Sequence, residues 1–214
     1  GVTLANANVA GNGSNYVTAL TGGTASLSNY TLNNSYNATA GTSQNVATLS
    51  AATATLNAVK TYDTNTGFTS SQITVSGIGG QTLSLSGSGS ATASSANVAS
   101  NGSNYLTSMG SLSLADGTSG TTGLASNYVL PSLSAYSSNN TVTINPAGVS
   151  VVGLSGSKSY DGTATFSFSQ LSMSGVAAGD QSNVQLAGSA TVSSSNVGTY
   201  TQWASTNLSL SGSA

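Results

Sequence analysis

The two lysines of this chain, Lys60 and Lys158, stand in the same frame. Lys60-Thr61-Tyr62-Asp63 recurs as Lys158-Ser159-Tyr160-Asp161, 98 residues on. Three kinds of chemistry could use such a group. A Lys amine could serve as the base for a Ser nucleophile. It could condense with a nearby Asn into an isopeptide crosslink of the kind some surface-fibre domains carry. The carboxylates could also join backbone carbonyls around a cation, with Asp161 and Asp180 as the candidate pair. The rest of the composition weighs against all three. The chain has no His or Cys, its two cations are both Lys, and its four acids are Asp63, Asp116, Asp161 and Asp180. Acid–base catalysis needs a group that titrates near the working pH, and none is present. No enzyme is expected, and no catalytic, cofactor-binding or metal-binding residue. The structural reading makes Lys60, Tyr62, Asp63, Lys158, Tyr160, Asp161 and Gly162 a folding motif. On a strand, Lys158 and Tyr160 share one face, and Ser159 and Asp161 the other. Tyr160 is then expected to anchor the core with Lys158 along its ring, while Asp161-Gly162 makes a turn. Tyr62 is expected in a matching buried site.

The elements that position these residues are themselves repeated. Phe68, Gln72, Ile73, Gly77 and Ile78 lie opposite Phe166, Gln170, Leu171, Gly175 and Val176. Ser94-Ser95-Ala96-Asn97-Val98 matches Ser193-Ser194-Ser195-Asn196-Val197. Upstream, Ala7 to Tyr16 differs from Ala96 to Tyr105 only at Gly11 against Ser100, and Ser28-Asn29-Tyr30 matches Ser126-Asn127-Tyr128. A period near 98 marks an array of homologous modules. Pro146, which cannot donate to a strand ladder, suits a module junction. The division expected is 1–50 as the C-terminal part of one module, 51–146 as a complete module and 147–214 as the N-terminal part of a third. The simplest account of that phase is a window from a longer array. No leader is read at Gly1, as expected of a mature, processed or excised chain.

Within each module the apolar period is two. Thr82-Leu83-Ser84-Leu85-Ser86, Val142-Thr143-Ile144, Phe166-Ser167-Phe168 and Leu208-Ser209-Leu210 alternate apolar with small polar residues, which is the pattern of strands with one buried face. Ala51-Ala52-Thr53-Ala54-Thr55-Leu56 is the best helix candidate, yet it reads as strand because it aligns with Gly148 to Leu154. The fold expected is all-β, in tandem Ig-like β-sandwich modules strung end to end. The alternative is β-grasp-like modules with one helix each. A β-solenoid would need a repeat near 20 residues, and there is none.

The ordered motifs carry a family likeness. Lys158-Ser159-Tyr160-Asp161-Gly162-Thr163, Gly175 to Asp180, Asn196-Val197-Gly198-Thr199-Tyr200 and Leu208 to Gly212 resemble the YDG-type repeat module of filamentous-haemagglutinin-like bacterial adhesins secreted by two-partner systems. The middle module departs from that pattern. Thr64 replaces the Gly after Tyr62-Asp63, and the Gly-Asp pair is lost around Gly79-Gly80-Gln81, as drifting turn residues would be. The resemblance implies a structural stalk or filament segment of a large secreted adhesin or biofilm-matrix protein, extracellular and at the bacterial cell surface. The alternative is a carbohydrate- or ice-binding repeat module, although ice binding would want a flat Thr array of short period.

Composition bounds the partners. With 3% charged residues and a formal charge of −2, no basic patch exists for nucleic acid. No apolar run approaches the ~20 residues of a membrane span. The expected partners are neighbouring modules of the same or an identical chain, with surface polysaccharide as a further one. Ser-Asn-Tyr tyrosines could stack on sugars or plug the core with the hydroxyl at its rim. Trp203 is read as core. Sequons at Asn12, Asn33, Asn37, Asn101, Asn139 and Asn207 could take glycans. With few charges to screen or titrate, stability is expected to be flat in salt and between about pH 6 and 8.

Overall fold

The two-residue alternation becomes strands in the computed structural model, which describes residues 1–20, 47–151 and 156–212. The motif Ser28-Asn29-Tyr30, the sequons at Asn33 and Asn37 and the segment 152–154 lie outside the described residues. Every helical segment described is a three-residue 3-10 turn. The fold is therefore all-β. The helix that a β-grasp module needs is not found among the described residues, and the Ala-rich stretch is strand, as Ala52–Thr53 and Thr55–Thr61.

The described residues form two compact units. The first draws on Gly1–Ala58, Gly67–Ala93 and Tyr105–Val142, the second on Val59–Thr66, Ser94–Asn104 and Thr143–Ala214. The longest sheet runs in the order Ser113–Ala115, Thr82–Ser86, Ile73–Ser76, Thr55–Thr61, Asn140–Asn145. A three-stranded antiparallel sheet joins Gly67–Thr69, Ser90–Ala93 and Leu106–Ser108. Leu56, Phe68, Ile73, Val75, Leu83, Leu106 and Val142 are buried. Along Thr55–Thr61 the inward positions are Leu56, Ala58 and Lys60, so period two drives a lysine to the buried face. Gly77 admits the ring of Tyr128, which a Cβ there would strike. Tyr128 is buried, and its hydroxyl donates to Gln81 Oε1 and accepts from Ile78 N–H at 3.2 Å. Tyr128 thus plugs the core with its hydroxyl at the rim. Tyr16 and Tyr105 are half-buried.

In the second unit, Thr165–Ser167, Ser189–Thr191 and Ser205–Thr206 form a three-stranded sheet, and Val184–Ala187 pairs with Ser209–Gly212. The aligned repeats share local structure in detail. Phe68 sits opposite Ala91 in its strand pair, and Phe166 opposite Ala190. Each of these strands runs into a 3-10 turn closed by a capping box, Thr69 with Gln72 and Ser167 with Gln170. The burial differs, because Phe68 is fully buried and Phe166 only half so. Trp203 is half-buried, edge-on to Phe166 at 5.6 Å between centroids.

Candidate functional site

The Lys-x-Tyr-Asp turn is built the same way twice, both times within the second unit. Lys60 is 5% exposed, and its ammonium donates to Asp63 Oδ1 at 2.7 Å and to the Asn65 carbonyl at 2.7 Å. Lys158 donates to Asp161 Oδ1 at 2.8 Å and to the carbonyls of Thr163 at 2.9 Å and Thr165 at 2.8 Å. Each Asp carboxylate also accepts from the N–H two residues on, Asn65 at 3.0 Å and Thr163 at 2.9 Å. That is an Asx turn with a cation clamped inside it. Both ammonium groups donate to a carboxylate and to backbone carbonyls, and Lys158 also to the Thr163 hydroxyl at 2.8 Å. This suits a hydrogen-bonded cation rather than an amine poised for amide exchange.

Between the Asp and the residue that donates its N–H to it, the chain turns left-handed. Gly162 does so at φ 78°, and Thr64 does so at φ 68°. A β-branched residue is strained there, by about 1–2 kcal/mol. Replacing Thr64→Gly is therefore expected to raise stability by about 1 kcal/mol, read from urea unfolding midpoints. A fall would mean that the Thr64 methyl, which packs toward Gly179, matters more than the strain.

Both tyrosines overturn the expectation of matched buried anchors. Tyr62 is half-buried and Tyr160 is 68% exposed. The strand carrying Lys60 ends at Thr61, and residues 158–161 form no strand, so the alternation that would turn Tyr and Lys to one face is not continued. Lys158 lies over the Phe166 ring instead, 5.3 Å from its centroid. The Tyr62 hydroxyl donates to Asp180 Oδ2 at 2.6 Å. Asp161 is held by Lys158 and Asp180 meets Tyr62, so the candidate cation pair is committed to different partners.

The carboxylates and the phenol are shifted in ways that set an acid and an alkaline limit. Hydrogen bonds from the Lys158 ammonium and then from Thr163 hold Asp161 down to about 2. Burial pushes Asp63 up, but the Lys60 ammonium and the Asn65 N–H outweigh it, and Asp63 lies below its ordinary value. A carboxyl lowered by folding contributes stability that is complete above its unfolded value near ~3.9 and is lost as pH falls through the folded one. The hydrogen bond to Asp180 raises Tyr62, so its contribution is complete below about 10 and is lost as pH climbs through the raised value. Urea midpoints are expected to be flat from about pH 5 to 9 and to fall beyond both limits. Asp161→Asn should shrink the acid arm, and an unchanged arm would show that Asp161 carries none of it.

Buried asparagines are the residues the sequence reading missed. Asn104 accepts from Ser95 N–H at 3.1 Å and donates to Ser95 O at 2.9 Å. Asn15 does the same to Asn6, at 3.0 and 2.8 Å. Both are 1% exposed. The repeated Ser-Asn-Tyr carries the signal, since Asn15 and Asn104 each put a buried amide before a half-buried ring. Asn101 brackets Ile144 by two 2.9 Å bonds, and Asn12 brackets Leu49 at 2.7 and 2.8 Å. The amide nitrogens that a glycan would take at Asn12 and Asn101 are thus in use.

The second unit also holds an apolar recess of about 440 Å³, lined by Tyr62, Val98, Pro146, Val149, Val176 and Asp180 among others. It brings Tyr62 and Val98 against Pro146, Val149, Val176 and Asp180. Among the described residues no three His, Cys, Asp or Glu side chains converge as a metal set. What this arrangement can do is hold two repeats together, through apolar contact and one hydrogen bond to a carboxylate.

No curated protein and no solved structure matches the chain. Residues 139–214, which contain the Lys158-Ser159-Tyr160-Asp161-Gly162 turn, match the YDG domain family.

Proposed function

We propose that this chain is a length of structural stalk or filament from a large secreted bacterial surface adhesin or biofilm-matrix protein, built of tandem Ig-like β-sandwich modules. The observation that supports this best is the contact of one repeat with the next. Tyr62 of the 51–146 repeat bonds Asp180 of the following one, beside a shared apolar recess. An array whose repeats grip their neighbours gains length with each copy, and length carries an adhesive end away from a cell. The YDG match over 139–214 adds to the reading. The side chains that could do chemistry are absorbed in turns, so the chain acts mechanically and not as an enzyme. Its partners are neighbouring modules and, at a cell surface, polysaccharide.

Small-angle scattering of the 214-residue chain, with negative-stain images, tests the reading. A globule of this length would have a radius of gyration of about 17 Å. An elongated particle well above that value is expected. A compact particle at that value would overturn the stalk.

A further inference from the structure

Tyr62 and Val98 of one repeat correspond in the alignment to Tyr160 and Val197 of the next. Tyr62 and Val98 are both half-buried, and they line the recess that also holds Pro146, Val149, Val176 and Asp180. Their counterparts are bare. Tyr160 is 68% exposed and Val197 88%. Among the described residues no partner meets the Tyr160 hydroxyl, and Tyr160 and Val197 border a shallow recess of about 140 Å³ with Phe166 and Tyr200. Tyr160 and Val197 thus leave apolar surface in water at one recess, where their counterparts in the preceding repeat are half-buried. The turn beneath is locked alike in both repeats, by Lys158 and Asp161 as by Lys60 and Asp63.

We infer that the Tyr160–Val197 face is a docking site for one further repeat of this kind. The incoming repeat presents the counterparts of Pro146 to Val149 and of the small-residue loop Val176-Ala177-Ala178-Gly179-Asp180, and its Asp carboxylate accepts from the Tyr160 hydroxyl. Small residues are needed because the loop lies close against the preceding turn. A Cβ on Gly179 would sit 3.3 Å from the Thr64 methyl. The inference rests on reading the chain as an array, and adds which face of a repeat receives the next.

The test extends the full chain by a second copy of residues 119–214 after Ala214, with Tyr160→Phe in the appended copy so that only the original Tyr160 is read. This keeps the repeat phase, because Leu114 pairs with Leu85 as Leu210 pairs with Leu186. Tyrosine nitration is then mapped by mass spectrometry. In the 214-residue chain Tyr160 should be modified faster than Tyr62, and in the extended chain it should slow to the rate of Tyr62. Asp180→Ala in the appended copy should restore fast modification of Tyr160, just as Asp180→Ala in the original chain should expose Tyr62. An extended chain that lengthens by scattering while Tyr160 stays reactive keeps the array and overturns this face. A chain that does not lengthen overturns the array itself. A second measurement needs no added copy. In the 214-residue chain, Tyr62→Ala should speed hydrogen exchange across residues 176–180, and Tyr160→Ala should leave exchange unchanged throughout. Broad loss of protection in Tyr160→Ala would show that Tyr160 already serves this chain, and the inference would fall.

Discussion

Phe68→Ala is expected to cost about 3–5 kcal/mol, and Phe166→Ala clearly less, about 1–2 kcal/mol. The two residues occupy the same place in aligned repeats. Each is the middle residue of a three-residue strand, opposite an Ala in the partner strand. Phe68 is 0% exposed, so its loss removes a whole ring from the interior and leaves a cavity. Phe166 is half-buried between the Trp203 edge and the Lys158 ammonium, and its loss opens toward water that can fill the gap. The proper readout is hydrogen exchange with urea unfolding, since two compact units need not unfold as one. Phe68→Ala should expose amides of Gly67–Thr69 and Ser90–Ala93 first. Equal costs for the two variants would show that local repetition, and not burial, sets the energetics of this chain.

The contrast also shows what the residues betray in advance. Strands follow from alternation, and the paired capping boxes follow from Gln72 and Gln170 standing at one offset. The left-handed turn was legible in Asp161-Gly162. The equal conformation at Thr64 was not, because nothing in a Thr announces φ 68°. The sequence reading lays Lys158 along the Tyr160 ring, whereas in the aligned repeat the alternation that buries Leu56 and Ala58 buries Lys60. Tyr62 escaped because its partner, Asp180, belongs to the next repeat, and local spacing cannot carry that pairing. Sequence patterns report on one element and its two faces. They are silent on where two repeats meet.

The clearest example is Asn140, which is 0% exposed at the start of the strand Asn140–Asn145. By composition it is one more amide in an Asn-rich chain. In the fold, its Oδ1 accepts from Leu106 N–H at 2.9 Å, and its Nδ2 donates to Leu106 O at 2.9 Å and Ser132 O at 3.0 Å. One side chain thereby serves as a strand edge for Leu106. Asn140→Leu removes all three bonds and leaves a buried N–H and two carbonyls to find water or go unpaired. Each buried group left so costs about 1–3 kcal/mol, so a loss of about 3 kcal/mol or more is expected. Asn140→Asp separates the hydrogen bonds from shape. At neutral pH the carboxylate still accepts from Leu106 N–H but repels both carbonyls in a site closed to water, and the cost should match or exceed that of Leu. As pH falls, the protonated carboxyl regains one donor, so Asn140→Asp should recover part of its stability in acid while Asn140→Leu does not. Urea midpoints for both variants at pH 7 and pH 4 decide it. A cost below about 1 kcal/mol for Asn140→Leu would mean that water can take over these backbone groups, and that the site is looser than its exposure implies.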